Sequence, residues 1–411
     1  MANRIRIIDV TNRDGVQTSR LGLAKLEKTI LNILLNEMGI FQSEFGFPTT
    51  PHETNYLNAN LELAKMEVLQ PVRLSGWIRA IPSDVALAFK MVPGLKHLNI
   101  SASTSKQLIE NKYFGKRTKE DVIRDMIAAV NLAQESGAES VGVNAEDASR
   151  TDMDYLMEFA GAAKAAGAVR FRYCDTLGYD DPFTIYDRIK TIAAAVQIDI
   201  ELHCHNDLGM VVANSVAGAK GAVDGGVDAY INTTVNGMGE RAGNADLVSV
   251  ILAVLKSSGF AGQYQLDPQI DLSKSWEIAK YASYAFAVPI PINQVGVGWN
   301  AFAHESGIHA DGALKDRKNY ELFDFMELGR GEPEVIETGR MITTGEYSGI
   351  KGFRNVYEKM EIEFKDEEDA QEILDLVRYA NVHTQKPLTK KELRFVAAYP
   401  EIARKILTVT P

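Results

Sequence analysis

The sequence predicts a closed (β/α)8 TIM barrel of the α/β class, followed by a mainly helical C-terminal extension. Three observations predict it. Short β-branched or apolar runs alternate with longer Ala-rich amphipathic stretches through the first 265 residues, a pattern that specifies parallel strands joined by crossover helices. Eight strand-like runs are present, the number that closes such a barrel. Polar residues collect where those runs end, as chemistry does at the C-terminal face of a barrel. An open doubly wound sheet shares the alternation and stays the alternative, because a sequence does not show closure.

Strands are expected over 6–11, 42–47, 73–79, 97–103, 140–146, 169–176, 198–206 and 229–235. Helices are expected over 22–37, 118–136, 151–166, 182–195 and 211–225, with charges on one face of each. The first strand runs into Asp9, Arg13, Asp14 and Gln17, and the second ends at Glu44. The fifth ends in Asn144 and Glu146, and the sixth in Cys174, Asp175 and Thr176. The seventh ends in His203, His205 and Asp207. The eighth leads into a glycine-rich segment, 236–244, that closes on Glu240, Arg241 and Asn244. The opposite strand ends show no comparable cluster. After about Gly262 the register changes: Pro289, Pro291 and Pro333 interrupt short helical pieces, and amphipathic helix returns from Met360. Two regions are therefore expected, a barrel over 1–265 and helical subdomains over 266–411 with no further strand pair.

A net charge of −11 and a pI near 5.3 argue against nucleic acid or an anionic membrane as partner. No apolar run approaches a membrane span, and the first residues lead straight into a strand pattern, so a soluble cytoplasmic protein is expected. Cys174 and Cys204 are the only cysteines and both fall in expected strands, which excludes a disulfide scaffold and suits a reducing compartment.

His203 and His205 carry the strongest chemical signal. Two imidazoles at i and i+2 of a strand share one face, and side by side they make half of a metal site. Asp14, facing the same barrel mouth, is the natural third ligand. Two nitrogens and one carboxylate oxygen with open positions suit Mn2+, Mg2+ or Zn2+ binding substrate oxygens directly. The alternatives are a satisfied core histidine pair and an Asp-Gly turn. Arg13 beside such a metal would stabilise developing oxyanion charge, or else form a salt bridge across the barrel top. Gln17, Glu44 and Asp9 are placed to orient Arg13 and the ligands. Thr176 can donate to a substrate carboxylate, though Thr at a strand end is also ordinary β-propensity. The backbone N–H groups of the 236–244 segment can cradle an anion.

From Arg13-Asp14-Gly through LHCHNDLGMVVANS and NGMGERAGN to NAFAHESGIHADG, the chain resembles the DRE-TIM metallolyases, specifically the 2-isopropylmalate, homocitrate, citramalate and Re-citrate synthase group. The resemblance covers the barrel and the first part of the extension. It implies a Claisen condensation of acetyl-CoA, the co-substrate, with a 2-oxo acid, followed by thioester hydrolysis. It implies Asp14, His203 and His205 as metal ligands, with Asn244 completing or supporting the metal sphere. Arg13, Glu146 and His309 are implied as catalytic, His309 reaching the barrel mouth of the partner in a domain-swapped homodimer. Thr176 is implied as a contact to the substrate carboxylate.

The lyase branch of that family carries a cysteine in the glycine loop, and this chain has none there. The homocitrate branch carries an arginine where this chain has Gly142. His52, Arg73 and Arg79 supply extra positive charge that favours a dicarboxylic substrate, although Arg73 can equally be a surface residue. The substrate-binding set is therefore expected to be Gln17, Glu44, His52, Arg79 and Thr176, and the oxo acid to be oxaloacetate, the Re-citrate branch of the group. A 2-isopropylmalate, homocitrate or citramalate synthase is the alternative within the family. Outside it stand an inactive metal-binding barrel with a regulatory role, and a biotin-dependent carboxyltransferase barrel.

Overall fold

A computed structural model describes residues 4–112, 114–334 and 338–409. The barrel is built from β1 (Arg4–Asp9), α1 (Lys25–Glu37), β2 (Gln42–Gly46), α2 (Thr54–Lys65), β3 (Arg73–Arg79), α3 (Pro82–Met91), β4 (His97–Ser103), α4 (Lys106–Lys112), α5 (Lys119–Glu135), β5 (Ser140–Glu146), α6 (Met153–Ala165), β6 (Arg170–Asp175), α7 (Pro182–Val196), β7 (Asp199–Cys204), α8 (Val211–Asp224) and β8 (Ala229–Thr233). Every strand is parallel to the next, and β1 pairs with both β8 and β2, so the ring closes. The doubly wound alternative is thereby excluded. Helix starts are written locally: Thr118, Asp152 and Asp181 each accept a backbone N–H of the first helical turn.

Alternate residues of each strand face opposite ways. The outward set, including Ile5, Ile7, Phe45, Ile100, Val143, Phe171 and Leu202, is fully buried in one apolar core with the helices. The inward set is different. Branched apolar residues commonly fill the interior of a TIM barrel, whereas here Arg170 bonds to Gln42 and Arg172 to Glu44, from β6 to β2 across the ring. Arg170 and Arg172 also bond to Glu201 on β7 (3.1 and 2.7 Å). The barrel is thus filled by an ion-pair lattice that forms a rigid polar floor under the mouth. The N-terminal strand ends carry a polar cluster as well, contrary to expectation: Arg6 bonds to Asp228 (2.5 Å) and Tyr230 (2.9 Å), and His97 to Ser140 (2.9 Å).

Beyond the ring come α9 (Leu247–Lys256), β9 (Gln265–Leu266), α10 (Ser275–Phe286), α11 (Gly307–Lys315), α12 (Ile350–Glu358), α13 (Glu367–Thr384), α14 (Lys390–Ala398) and α15 (Pro400–Leu407). The expectation of no further strand fails at one point. β9 pairs in parallel with Arg4 and Ile5, along the stretch of β1 that lies before its pairing with β2 at Ile8. Two residues are too short a run for a periodicity to reveal. The last helices fold back onto α1, where Lys386 pairs with Glu27 (2.7 Å) and Lys391 with Glu37 (2.6 Å), onto α2, where Lys405 pairs with Glu62 (2.5 Å), and onto α10, whose Tyr281 hydroxyl donates to Glu392 (2.8 Å). Among the described residues no helix is long and apolar enough to cross a membrane.

Candidate active site

The ends of β1 and β7 bring three side chains together. His203 Nε2 lies 3.6 Å and His205 Nε2 3.8 Å from Asp14 Oδ2. The ligand atoms of all three residues fall within 4.8 Å of one another, and all three residues are buried. Asn232 Oδ1 stands 3.1 Å from His203 Nδ1, so that nitrogen carries the proton and Nε2 keeps its lone pair for a ligand. Asp14 Oδ2 and Asn244 Oδ1 are buried with no hydrogen-bond partner. Orphaned buried oxygens are costly, and Asp14 Oδ2 is the one that faces both imidazole Nε2 atoms. The donor set fits a divalent cation.

The electrostatics agree. Burial alone would raise the Asp14 carboxyl, but the Arg13 guanidinium and the two imidazoles bring it down to about 2. Burial pushes both imidazoles below their ordinary value, His203 strongly. All three groups therefore stand in ligand form at neutral pH.

Asn244 is delivered by the 236–244 segment, which packs against the end of β7 through a bridge to His205. A Cβ at Gly239 would lie 1.9 Å from Asn244 Oδ1, so glycine there is a condition for placing that amide. Arg241 ties the segment down through Asp207 (2.8 Å) and the Thr176 carbonyl (2.5 Å). Most N–H groups of the expected anion cradle are already taken: those of Gly237 and Met238 by the Thr234 and Val235 carbonyls, those of Gly243 and Asn244 by the Glu240 and Gly237 carbonyls, and that of Gly239 by the Thr18 hydroxyl.

Arg13 donates through Nε to Glu44 (2.5 Å) and through Nη1 to Asp14 (2.7 Å), and its Nη2 has no partner among the described residues. Glu44 lies below the cavity, with both oxygens taken by Arg13, Arg172 and Asn99. Burial raises its carboxyl, but Arg13 and Arg172 bring it down to about 2. Glu44 is thus the anchor of two guanidinium groups and has no oxygen left for a substrate, contrary to its place in the expected substrate-binding set. Asp9 does not orient Arg13 either; its Oδ1 accepts from the Thr11 N–H (2.9 Å).

A cavity of about 190 Å3 opens above Asp14, His203 and His205, lined also by Arg13, Gln17, Glu146 and Thr176 of the expected set. Trp77, Ser101, Asn144, Arg172, Cys174 and Glu240 also line it, and sequence reading assigned none of them a role. Inward register was the signal for Trp77, Ser101, Asn144 and Arg172, since each alternates with an outward apolar residue. Thr176 Oγ1 accepts from the Asp147 N–H (2.9 Å), leaving its own proton to donate. With its amide oxygen toward Trp77 Nε1 (3.1 Å) and Arg172 (3.3 Å), Asn144 keeps its N–H donors for the cavity.

The cations expected to hold a second carboxylate lie elsewhere. His52 lines a separate cavity with Lys25 and Lys28. Arg73 starts β3, at the far end of the barrel, over the Phe41 ring. Arg79 lines an adjoining cavity and grips Asp84 through two bonds. His309 sits on α11, exposed and stacked on Tyr320 with ring centroids 4.3 Å apart, and does not line the metal-site cavity of its own chain.

A closed parallel barrel whose C-terminal mouth gathers two imidazoles, a carboxylate and an arginine is the architecture of a barrel enzyme with a candidate metal site. Sequence comparison makes this specific. Residues 4–281 match the HMGL-like family, and residues 297–384 match the homocitrate synthase post-HMGL domain-like family. The chain belongs to the HMGL-like family, among its acetyl-CoA-dependent synthases. It is 64% identical over 409 residues to a citrate (Re)-synthase of Dehalococcoides mccartyi, covering 99% of each chain. It is 40% identical over 392 residues to 2-isopropylmalate synthase 2 of Caldanaerobacter subterraneus subsp. tengcongensis, covering 95% of this chain and 94% of that one. In fold it is similar to the HMG-CoA lyase of Bacillus subtilis, with a TM-score of 0.57 at 18% identity over 71% of this chain and 97% of that one.

Proposed function

We propose that this protein condenses acetyl-CoA with oxaloacetate and hydrolyses the thioester to release citrate and CoA, as a citrate (Re)-synthase. The observation that carries the reading is 64% identity across 99% of both chains with the Dehalococcoides enzyme. The polar lining supports it: Ser101, Asn144 and Arg172 suit a second carboxylate better than a branched alkyl group. The test is a panel of 2-oxo acids with acetyl-CoA and a free-thiol readout. Oxaloacetate should give the highest kcat/KM; if 2-oxoisovalerate leads, the protein is an isopropylmalate synthase and the reading fails.

Asp14, His203 and His205, with Asn244 beside them, would hold Mn2+, Mg2+ or Zn2+. When bound, the ion supplies Lewis-acid polarisation of the oxo group. Arg13 Nη2 faces charge that develops on the oxo oxygen. Thr176 donates to the proximal carboxylate, and Ser101 and Asn144 donate to the distal one, in place of His52 and Arg79. Glu146 stands in the cavity wall, next to the reacting carbon atoms, and Gln17 stands at the exposed rim.

His309 is proposed to act in a second copy's site within a cytoplasmic, domain-swapped homodimer. Two exposed apolar surfaces support this: Ile308, Leu314 and Leu322 around α11, and Tyr179, Phe183 and Leu208 around the barrel mouth. The division of the chain at 265/266 into barrel and helical subdomains belongs to the same proposal. Mixed dimers of His309→Ala and His203→Ala should regain activity that neither variant has alone, and verified mixed dimers that stay inactive would place His309 in its own chain's site.

A further inference from the structure

We infer that Lys112 is a positioning residue, which holds the Glu146 carboxylate from an inserted helix so that Oε1 faces the metal-site cavity. The inference rests on the proposed place of Glu146 beside the reacting groups. Three observations carry it. Among the described residues, β4 alone of the first seven strands is followed by two α-helices, and the extra one, α4, carries Lys112. The Lys112 ammonium lies 2.7 Å from Glu146 Oε2 and 3.1 Å from Ser103 Oγ, and the Ser103 hydroxyl donates to the same Oε2 at 2.5 Å. Glu146 Oε1 has no hydrogen bond among the described residues, while Glu146 itself stands in the wall shared by the metal-site cavity and an adjoining cavity of about 280 Å3.

Two donors on one carboxylate oxygen fix the plane of the group and its torsion, and the second oxygen is then aimed by default. Lys112 lines only the adjoining cavity, so it acts through Glu146 rather than on the oxo acid. A half-exposed ion pair adds little to stability, and an inserted helix that carries one is better explained by the group it orients. Ser103, at the end of β4, is the fixed half of the clamp, and Lys112 is the half supplied by the insertion.

The experiment uses the full-length protein with Mn2+, acetyl-CoA and oxaloacetate. Lys112→Met should lower kcat about 10–100-fold, the range seen when a partner that orients a reacting group is removed. Both KM values and the Mn2+ affinity should hold, and Lys112→Arg should recover most of the loss. Lys112→Cys treated with 2-bromoethylamine should recover it too, because the alkylated side chain again ends in an ammonium. Native Cys204 is buried and Cys174 is buried but for its edge on the cavity, and burial raises both thiols, which disfavours their alkylation; wild type treated with the same reagent is the control. An unchanged kcat in Lys112→Met overturns the inference. So does a raised acetyl-CoA KM with kcat intact, which would make Lys112 a contact of the co-substrate. A loss that neither arginine nor aminoethylation repairs overturns it as well. If wild-type protein turns over no oxo acid, the functional reading falls and the inference with it; an active wild type with an unaffected variant removes the inference alone.

Discussion

Gly142 and Asn99 face each other across the β5–β4 pairing so closely that a Cβ at 142 would stand 2.1 Å from Asn99 Oδ1. The neighbouring space is occupied by Arg170, whose Nη2 would be 3.9 Å from the same Cβ. The absent arginine of the homocitrate branch is therefore an exclusion built into the lattice. Asn99 in turn donates to Glu44 (2.7 Å), which holds Arg13.

Gly142→Ala should cost about 1–3 kcal/mol, the usual penalty for overpacking, read as a lower midpoint in urea. Gly142→Arg should not confer turnover of 2-oxoglutarate. An alanine variant as stable as wild type would mean that Asn99 moves aside freely and that the exclusion argument is wrong.

Arg172 is buried between Glu44 and Glu201. Buried ion pairs seldom out-stabilise apolar packing, but removing one partner leaves carboxylates short of a cation. Arg172→Met should therefore lose about 3–5 kcal/mol in denaturant unfolding. A loss below about 1 kcal/mol, the worth of an exposed pair, would show that Arg13 and Arg170 carry the floor without it.

The barrel and the clustering of the two imidazoles were legible because both are periodic. Strand alternation set the eight-fold count, and the i, i+2 spacing put His203 and His205 on one face. What stayed hidden depends on which strands face each other across the ring. Arg172 and Glu44 are 128 residues apart, and no local pattern says that β6 looks at β2. The same blindness assigned His52 and Arg73 to the mouth, since charge composition carries no direction. Oxaloacetate is thus favoured through residues that lie elsewhere, while of the polar groups that line the cavity Asn144 is noted only as a strand end and Ser101 carries no local signal.

Asp9 gives a pH signature. Burial pushes its carboxyl from an ordinary 3.8 to about 7, so the folded protein binds that proton more tightly than the unfolded chain does. The contribution of Asp9 to stability must then fall as pH rises from about 4 to 7, and level off above that. Asp9→Asn keeps the acceptor for the Thr11 N–H and removes the titration. The variant should gain on wild type between pH 5 and 8 by on the order of a few kcal/mol, seen as diverging unfolding midpoints. Parallel midpoints over that range would contradict the assignment.

Citrate formation by metal-free protein tests the account most directly. Chelator-treated enzyme, assayed with oxaloacetate and acetyl-CoA, should make no citrate. Titration with Mn2+ or another divalent ion should restore it in wild type, and Asp14→Asn or His203→Ala should abolish the response. Undiminished citrate formation in protein shown by elemental analysis to lack metal would contradict the metal-centred reading, whatever the geometry of Asp14, His203 and His205.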